Sequence, residues 1–188
     1  MAAENLMTEQ ASLIRGADLD QIGIVVTDLH GFTRQLTQLF GIGPFKIFEW
    51  PLEGVDPKAT YHGQPGHFRL LLAFATVGKI QLEIVQPLEG ENIYSDFLRE
   101  HGPGLHHIRL TIPKFDDALK SMKETGIENI ASGTGVHVGS EWAYFDTTHV
   151  LEGVTVELRT RLDDAGGGGK WLPSVGSENL VEGEQQDQ

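Results

Sequence analysis

Gly16-Ala17-Asp18-Leu19-Asp20-Gln21-Ile22 returns 86 residues later as Gly102-Pro103-Gly104-Leu105-His106-His107-Ile108. Each copy runs on as a short apolar strand, then a helical stretch, then Gly-Ile: Gly41-Ile42 in the first case, Gly126-Ile127 in the second, an offset of 85. A period held over a whole segment marks a duplicated unit.

The stretches between the two copies support the pairing. Phe32, Leu36, Leu39 and Phe40 fall on one helical stripe, as do Phe115, Ala118, Leu119 and Met122 after Pro113. Gly41 and Gly126 stand where helix stop signals belong. Strand-like runs follow each helix: Phe45–Trp50, His67–Thr76 and Lys79–Gln86 in the first half, then Asn129–Ala131, Trp142–Thr147 and Val154–Thr160 in the second. The order is βαβββ twice. The expected fold class is therefore α+β, with tandem modules at 18–87 and 104–160 in one domain, 18–160. Residues 88–103 read as a connector with a helical turn at Ile93–Glu100. Residues 51–66 and 133–142 read as loops that shape a pocket.

The flanks differ from this body. Residues 1–17 read as a flexible leader with no secretory pattern. Residues 161–188 read as a flexible, acidic, Gly-rich tail in which Trp171 and Leu172 can dock locally. The formal charge is −13, and residues 19–160, with 18 acids and 11 bases, keep −7 of it. An acidic body disfavours nucleic acid and anionic membrane as partners, but leaves room for a small anion held by local arginines. No apolar run is long enough for a membrane span. The chain has no cysteine, which excludes thiolate sites and disulfides and fits a reducing, cytoplasmic compartment.

Strand alternation singles out polar residues. Ile22, Ile24 and Val26 share a face and Gln21 points away. Ile108, Leu110 and Ile112 share a face, with His106 among them, while His107 and Arg109 oppose them. Glu83 opposes Ile80, Leu82 and Ile84; Glu157 and Arg159 oppose Val154, Val156 and Leu158. Gln21 and His107 occupy the first strand of each repeat, Glu83 and Glu157 the last, so a pseudo-twofold axis brings the four together. Read singly, His107 is equally a structural histidine, the glutamates are solvated strand residues, and the arginines are their cross-strand partners. The matched placement raises them above that reading.

Gly104-Leu105-His106-His107-Ile108, the strand ending Val156-Glu157-Leu158, and Leu82-Glu83 before Pro87-Leu88 resemble the vicinal oxygen chelate superfamily, which includes glyoxalase I, methylmalonyl-CoA epimerase, extradiol dioxygenases and bleomycin-resistance proteins. The resemblance spans about residues 19–160 and is strongest to the epimerase and glyoxalase branch. It implies a curved mixed sheet, a half-barrel, around one divalent metal (Zn, Co, Ni, Mn or Mg) held by Gln21, Glu83, His107 and Glu157. Gln21 departs from the histidine usual in epimerases and dioxygenases. Two histidines and a carboxylate are what a non-haem Fe(II) dioxygenase needs, so Gln21 moves the site away from oxygen chemistry. No carboxylate lies in His67–Thr76, where an epimerase carries an extra acid–base group; His67 is the substitute.

A divalent ion that chelates adjacent oxygens acts as a Lewis acid and stabilises an enolate. Glu157 is then the first choice of catalytic base and Glu83 its counterpart, while Arg109, Arg159 and His67 bind substrate. The expected function is an isomerase, epimerase or lyase acting α to a carbonyl, on an acyl-CoA, a 2-oxo compound or a thiol adduct. A bleomycin-resistance-type sequestering protein is the alternative, followed by an extradiol-type dioxygenase. A homodimer is also expected, because such modules pair within one chain or between chains.

Overall fold

A computed structural model of the chain describes residues 16–163 and 170–172. The leader up to residue 15 and most of the tail lie outside the described residues.

In chain order the elements are β1 (Asp18–Val25), α1 (Leu29–Phe40), β2 (Lys46–Trp50), β3 (Thr60–Tyr61), β4 (Gln64–Pro65), β5 (Arg69–Val77), β6 (Ile80–Glu89), α2 (Ile93–His101), β7 (Gly104–Ile112), α3 (Phe115–Thr125), β8 (Asn129–Thr134), β9 (Glu141–Phe145) and β10 (Thr155–Thr160). Local chemistry accounts for the helix ends. The Asp28 side chain caps α1 by accepting from the Gly31 amide, and Asn92 with Ser95 forms a reciprocal capping box on α2. Gly41 and Gly126 end α1 and α3 at φ 66° and 76°, a left-handed conformation that costs glycine least.

All the strands join one curled mixed sheet in the order β2-β5-β6-β1-β7-β10-β9-β8-β3-β4. The centre carries the symmetry. β1 pairs antiparallel with β7, and each pairs parallel on its other side with the last strand of its own repeat, β6 or β10. Strand alternation then sorts the apolar residues into three groups. Val26, Leu29, Phe45, Ala73 and Ile84 pack beneath α1; Ile112, Phe115, Ala143, Phe145 and Leu158 pack beneath α3. The third group lines the concave face and takes residues from both halves, among them Val25, Trp50, Phe74, Tyr94 and Tyr144. Among the described residues no helix is long and apolar enough to cross a membrane.

Several details differ from the sequence reading. Phe32 and Leu36 pack under α1, but Leu39 and Phe40 are about 70% exposed. They lie on the last turn of the helix, next to its Gly41 stop. Residues 51–66 are not wholly loop, since they contain the β3–β4 hairpin. Thr60 and Tyr61 pair with Ser132 and Ala131 of β8, and the Thr134 amide donates to the Pro57 carbonyl at 2.8 Å. An insertion of the first half is thereby sewn to the outer strand of the second. Within the tail, residues 170–172 dock on the body, where local docking was expected of Trp171 and Leu172. The Leu172 amide donates to the Val136 carbonyl, the Val138 amide donates to the Lys170 carbonyl, and Trp171 packs on Phe48 and Phe74.

Ile84 is fully buried. Ile84→Ala is expected to lower unfolding stability by about 2–5 kcal/mol. Leu39→Ala is expected to change it by less than about 0.5 kcal/mol. Urea denaturation of the two variants checks both.

Candidate metal centre

The polar residues that alternate away from the helices meet in the middle of the concave face. Glu83 on β6, His107 on β7 and Glu157 on β10 each place a ligand-type atom within 4.8 Å of the others, and all three are buried. His107 Nε2 lies 3.1 Å from Glu83 Oε2 and 3.5 Å from Glu157 Oε2. Gln21 Oε1 stands 3.4 Å from the same nitrogen, and the Gln21 amide donates to Gln81 Oε1 at 2.7 Å, which leaves its oxygen facing the cluster. The four side chains named from the sequence as ligands are thus brought together. Gln81 orients one of them and is not among the residues that the sequence singled out.

Two bulges build this face. On β1 the pairing skips Asp20, between Leu19↔Leu110 and Gln21↔Arg109; on β7 it skips His106, between Gly23↔His107 and Ile24↔Leu105. Asp20 and His106 are equivalent in the repeat. A bulge breaks strict alternation and re-aims the extra side chain. His106 therefore does not join Ile108 on the helix side, as alternation predicted, but packs with Tyr94, Phe97 and Tyr144. Leu105 is turned outward instead, 49% exposed. Asp20 turns to accept from Arg109 Nε at 2.9 Å and from the Thr111 hydroxyl at 2.8 Å.

The His107 ring has one close neighbour that explains a glycine. A Cβ on Gly23 would lie 1.9 Å from His107 Cε1. The ring occupies the space that any side chain at 23 would take. A glycine inside a strand is a signal of such close approach. On its other side His107 Nδ1 is 3.0 Å from His106 Nδ1. Burial, and then His107, push His106 well below the usual histidine range, so it is neutral and can accept. A proton on His107 Nδ1 donated to His106 leaves Nε2 as a lone pair facing the two glutamates, the arrangement a metal-binding imidazole requires.

Glu157 Oε2 is buried and, among the described residues, has no hydrogen-bond partner. Burial raises the Glu157 carboxyl above the usual carboxylate range; Arg109 and His107 oppose the shift, and Glu83 adds to it. An unpartnered buried oxygen is costly. A cation between Glu83, His107 and Glu157 would satisfy it, so the donor set fits one divalent ion. With one imidazole, two carboxylates and an amide oxygen the site is mostly hard.

Arg109 and Arg159, both buried, line the cavity beside the cluster. Burial works against the charge of Arg109, but Glu157, Asp20 and Glu83 outweigh it and hold the guanidinium above its usual value. Arg159 is brought down to about 10, first by burial and then by Arg109. It donates to His137 Nδ1 at 2.8 Å. His137, read from the sequence as a loop residue, is in fact buried in the cavity, stacked 4.3 Å from the Trp171 ring and brought down to about 4 by burial and by Arg159. Its position depends on the docking of residues 170–172, which nothing local to His137 announces. His67 is a correction in the other direction. β5 starts at Arg69, Phe68 faces the cavity, and His67 is exposed outside it. His101 is exposed beside Phe97.

Residues 20–145 match the family described as Glyoxalase/Bleomycin resistance protein/Dioxygenase superfamily. The chain belongs to that superfamily. Its curled sheet superposes on a hypothetical protein of Bacillus halodurans C-125 with a TM-score of 0.56 at 21% identity, covering 77% of this chain and 94% of that one. It superposes on methylmalonyl-CoA epimerase of Mycobacterium tuberculosis with a TM-score of 0.54 at 20% identity, covering 76% and 86%. At these identities the likeness is one of fold. The uncharacterized protein YqjC of Bacillus subtilis (strain 168) is 26% identical over 87 residues, which are 46% of this chain and 62% of that protein, so the match spans less than two thirds of that relative's length.

Two predictions follow from the geometry. Gly23→Val displaces the His107 ring and is expected to weaken Zn²⁺ binding at least about 10-fold, measured by competition with a chromophoric chelator. His137 binds its proton less readily folded (about 4) than unfolded (about 6.5). Unfolding therefore takes up a proton in that window, and this group's contribution to stability, present above pH 6.5, is lost as pH falls towards 4. His137→Asn is expected to flatten the pH dependence of the urea midpoint between those values.

Proposed function

We propose that this chain is a metal-dependent enzyme that moves a proton on the carbon next to a carbonyl, as an isomerase or epimerase, or as a lyase. The observation that carries this reading is the buried cluster of Glu83, His107 and Glu157, with one glutamate oxygen left without a partner. Solved structures of similar fold bear the name methylmalonyl-CoA epimerase, one of them in complex with methylmalonyl-CoA and NH4+, which supports a small acyl substrate class.

Gln21, Glu83, His107 and Glu157 would hold the ion. A divalent metal there supplies Lewis-acid stabilisation for negative charge developing on a substrate oxygen. The chain's own residues do the rest. Glu157, raised by burial, is the base: it takes the proton from the α-carbon while the C–H electron pair moves towards the carbonyl. Delivery of the proton by Glu157 to the neighbouring carbon gives an isomer; delivery of a proton by Glu83 to the opposite face of the α-carbon inverts the centre. Arg109, kept charged by Asp20 and Glu157, and Arg159 bind the substrate's anionic group. The aromatic walls exclude water.

The donor set argues against ring-cleaving iron chemistry, because the cluster offers one histidine where two are needed. A sequestering protein is favoured only by the apolar wall of the cavity. Metal content separates it from the enzyme.

The enzyme reading predicts about one divalent ion per chain in the native protein by elemental analysis. It also predicts solvent-deuterium exchange α to the carbonyl of an acyl-CoA or 2-oxo substrate, reduced at least about 100-fold by Glu157→Gln. Native protein without metal, or Glu157→Gln with intact exchange, overturns it.

A further inference from the structure

The cavity around the cluster opens to solvent and takes its lining from both repeats. Its walls are strongly aromatic. Phe68, Trp50, Trp142 and Tyr144 form a continuous run, with successive ring centroids 5.1, 6.1 and 5.5 Å apart. Phe74 and Trp171 face the cavity as well, their own rings 6.3 Å apart. Such faces accept a flat apolar group by stacking or edge contact.

One end of this apolar space is positive. Arg159 is buried and, among the described residues, makes no ion pair; its hydrogen bond goes to His137, an uncharged acceptor. Arg109 and Lys46 add to the field felt at His137, and the Lys46 ammonium lies 3.9 Å over the Trp171 ring. Against the guanidiniums of Arg109 and Arg159 stand three carboxylates: Asp20, Glu83 and Glu157. With Lys46 counted the charges balance, and a divalent ion would leave this end of the cavity net positive, which an anion offsets. A buried arginine left without an acid is a costly arrangement unless a ligand completes it.

We infer that the substrate is a small aromatic carboxylate, its ring held among Trp50, Trp142 and Tyr144 and its carboxylate on Arg159. This rests on the proposed function in taking the same cavity as the substrate site and the same divalent ion beside it. It narrows the substrate class towards a ring-bearing acid: an acyl-CoA such as methylmalonyl-CoA could also place a carboxylate on Arg159, but its acyl group offers no flat apolar face to Trp50, Trp142 and Tyr144.

The test is calorimetric titration of the full chain, EDTA-treated and Zn²⁺-loaded, with phenylacetate, acetate, phenylacetamide and malonyl-CoA. Phenylacetate has the ring and the charge; acetate lacks the ring, and phenylacetamide lacks the charge. Phenylacetate is expected to bind at least about 10-fold more tightly than either analogue and more tightly than malonyl-CoA. Arg159→Met, checked for an unchanged melting transition, is expected to erase its advantage over phenylacetamide, and Arg159→Lys to restore part of it. Equal binding of phenylacetate and phenylacetamide, equal binding of phenylacetate and acetate, or tighter binding of malonyl-CoA overturns the inference, and these comparisons on the unaltered chain stand even if the variants fail to fold. Zn²⁺ binding with no preference for phenylacetate removes this inference and leaves the enzyme reading intact. A preference for phenylacetate in a chain that binds no metal removes the enzyme reading and leaves the cavity's preference for an aromatic carboxylate.

Discussion

The antiparallel pairing of β1 with β7 is the contact on which the rest of the molecule depends. It joins the two repeats into one sheet and lays their first strands side by side, so the pseudo-twofold axis runs through the middle of the concave face. The two bulges in that pairing, at Asp20 and His106, occupy equivalent places in the repeat. Without them alternation would send both side chains to the helix side. With them, Asp20 ties down Arg109 and Thr111, and His106 reaches His107 Nδ1. A sheet defect duplicated with the module thus supplies the support for the residues at the site.

The repeats have diverged at the positions facing this axis. Gln21 stands opposite Arg109, and Gly23 opposite His107. The missing side chain at 23 is filled by the His107 ring, so the second repeat's imidazole occupies space surrendered by the first. Each half is incomplete alone: the first contributes Gln21 and Glu83, the second His107 and Glu157, and the aromatic wall alternates between them at Trp50 and Trp142. The β3–β4 hairpin and residues 170–172 reinforce that union at the edges of the sheet.

Electrostatics sets the chemistry of the centre. Carboxylates and guanidiniums are buried together, and each perturbs the others: Glu157 goes up with burial, Arg109 is held charged by the acids around it, and Arg159 comes down. Burying charge is costly unless it is paired, and among the described residues Glu157 Oε2 has no hydrogen-bond partner and Arg159 no ion pair. The proposed cation at the first place and the proposed anion at the second would complete the set.

The sequence by itself determined the duplication, the βαβββ order, and the faces of Gln21, Glu83, His107 and Glu157. These follow from a repeat and from alternation along single strands, both of which are local properties of the chain. It could not place His67 outside the cavity, because one residue of uncertainty in where β5 begins reverses the face. Nor could it find the Asp20 and His106 bulges, which exist only as a mismatch between two paired strands. The use of Gly23 and the burial of His137 depended on what lies across the sheet: the His107 ring in one case, Trp171 in the other. Only the tertiary structure decided these. They arise from contacts between residues tens of positions apart, and the order of the residues carries no trace of which distant side chain will fill a given space.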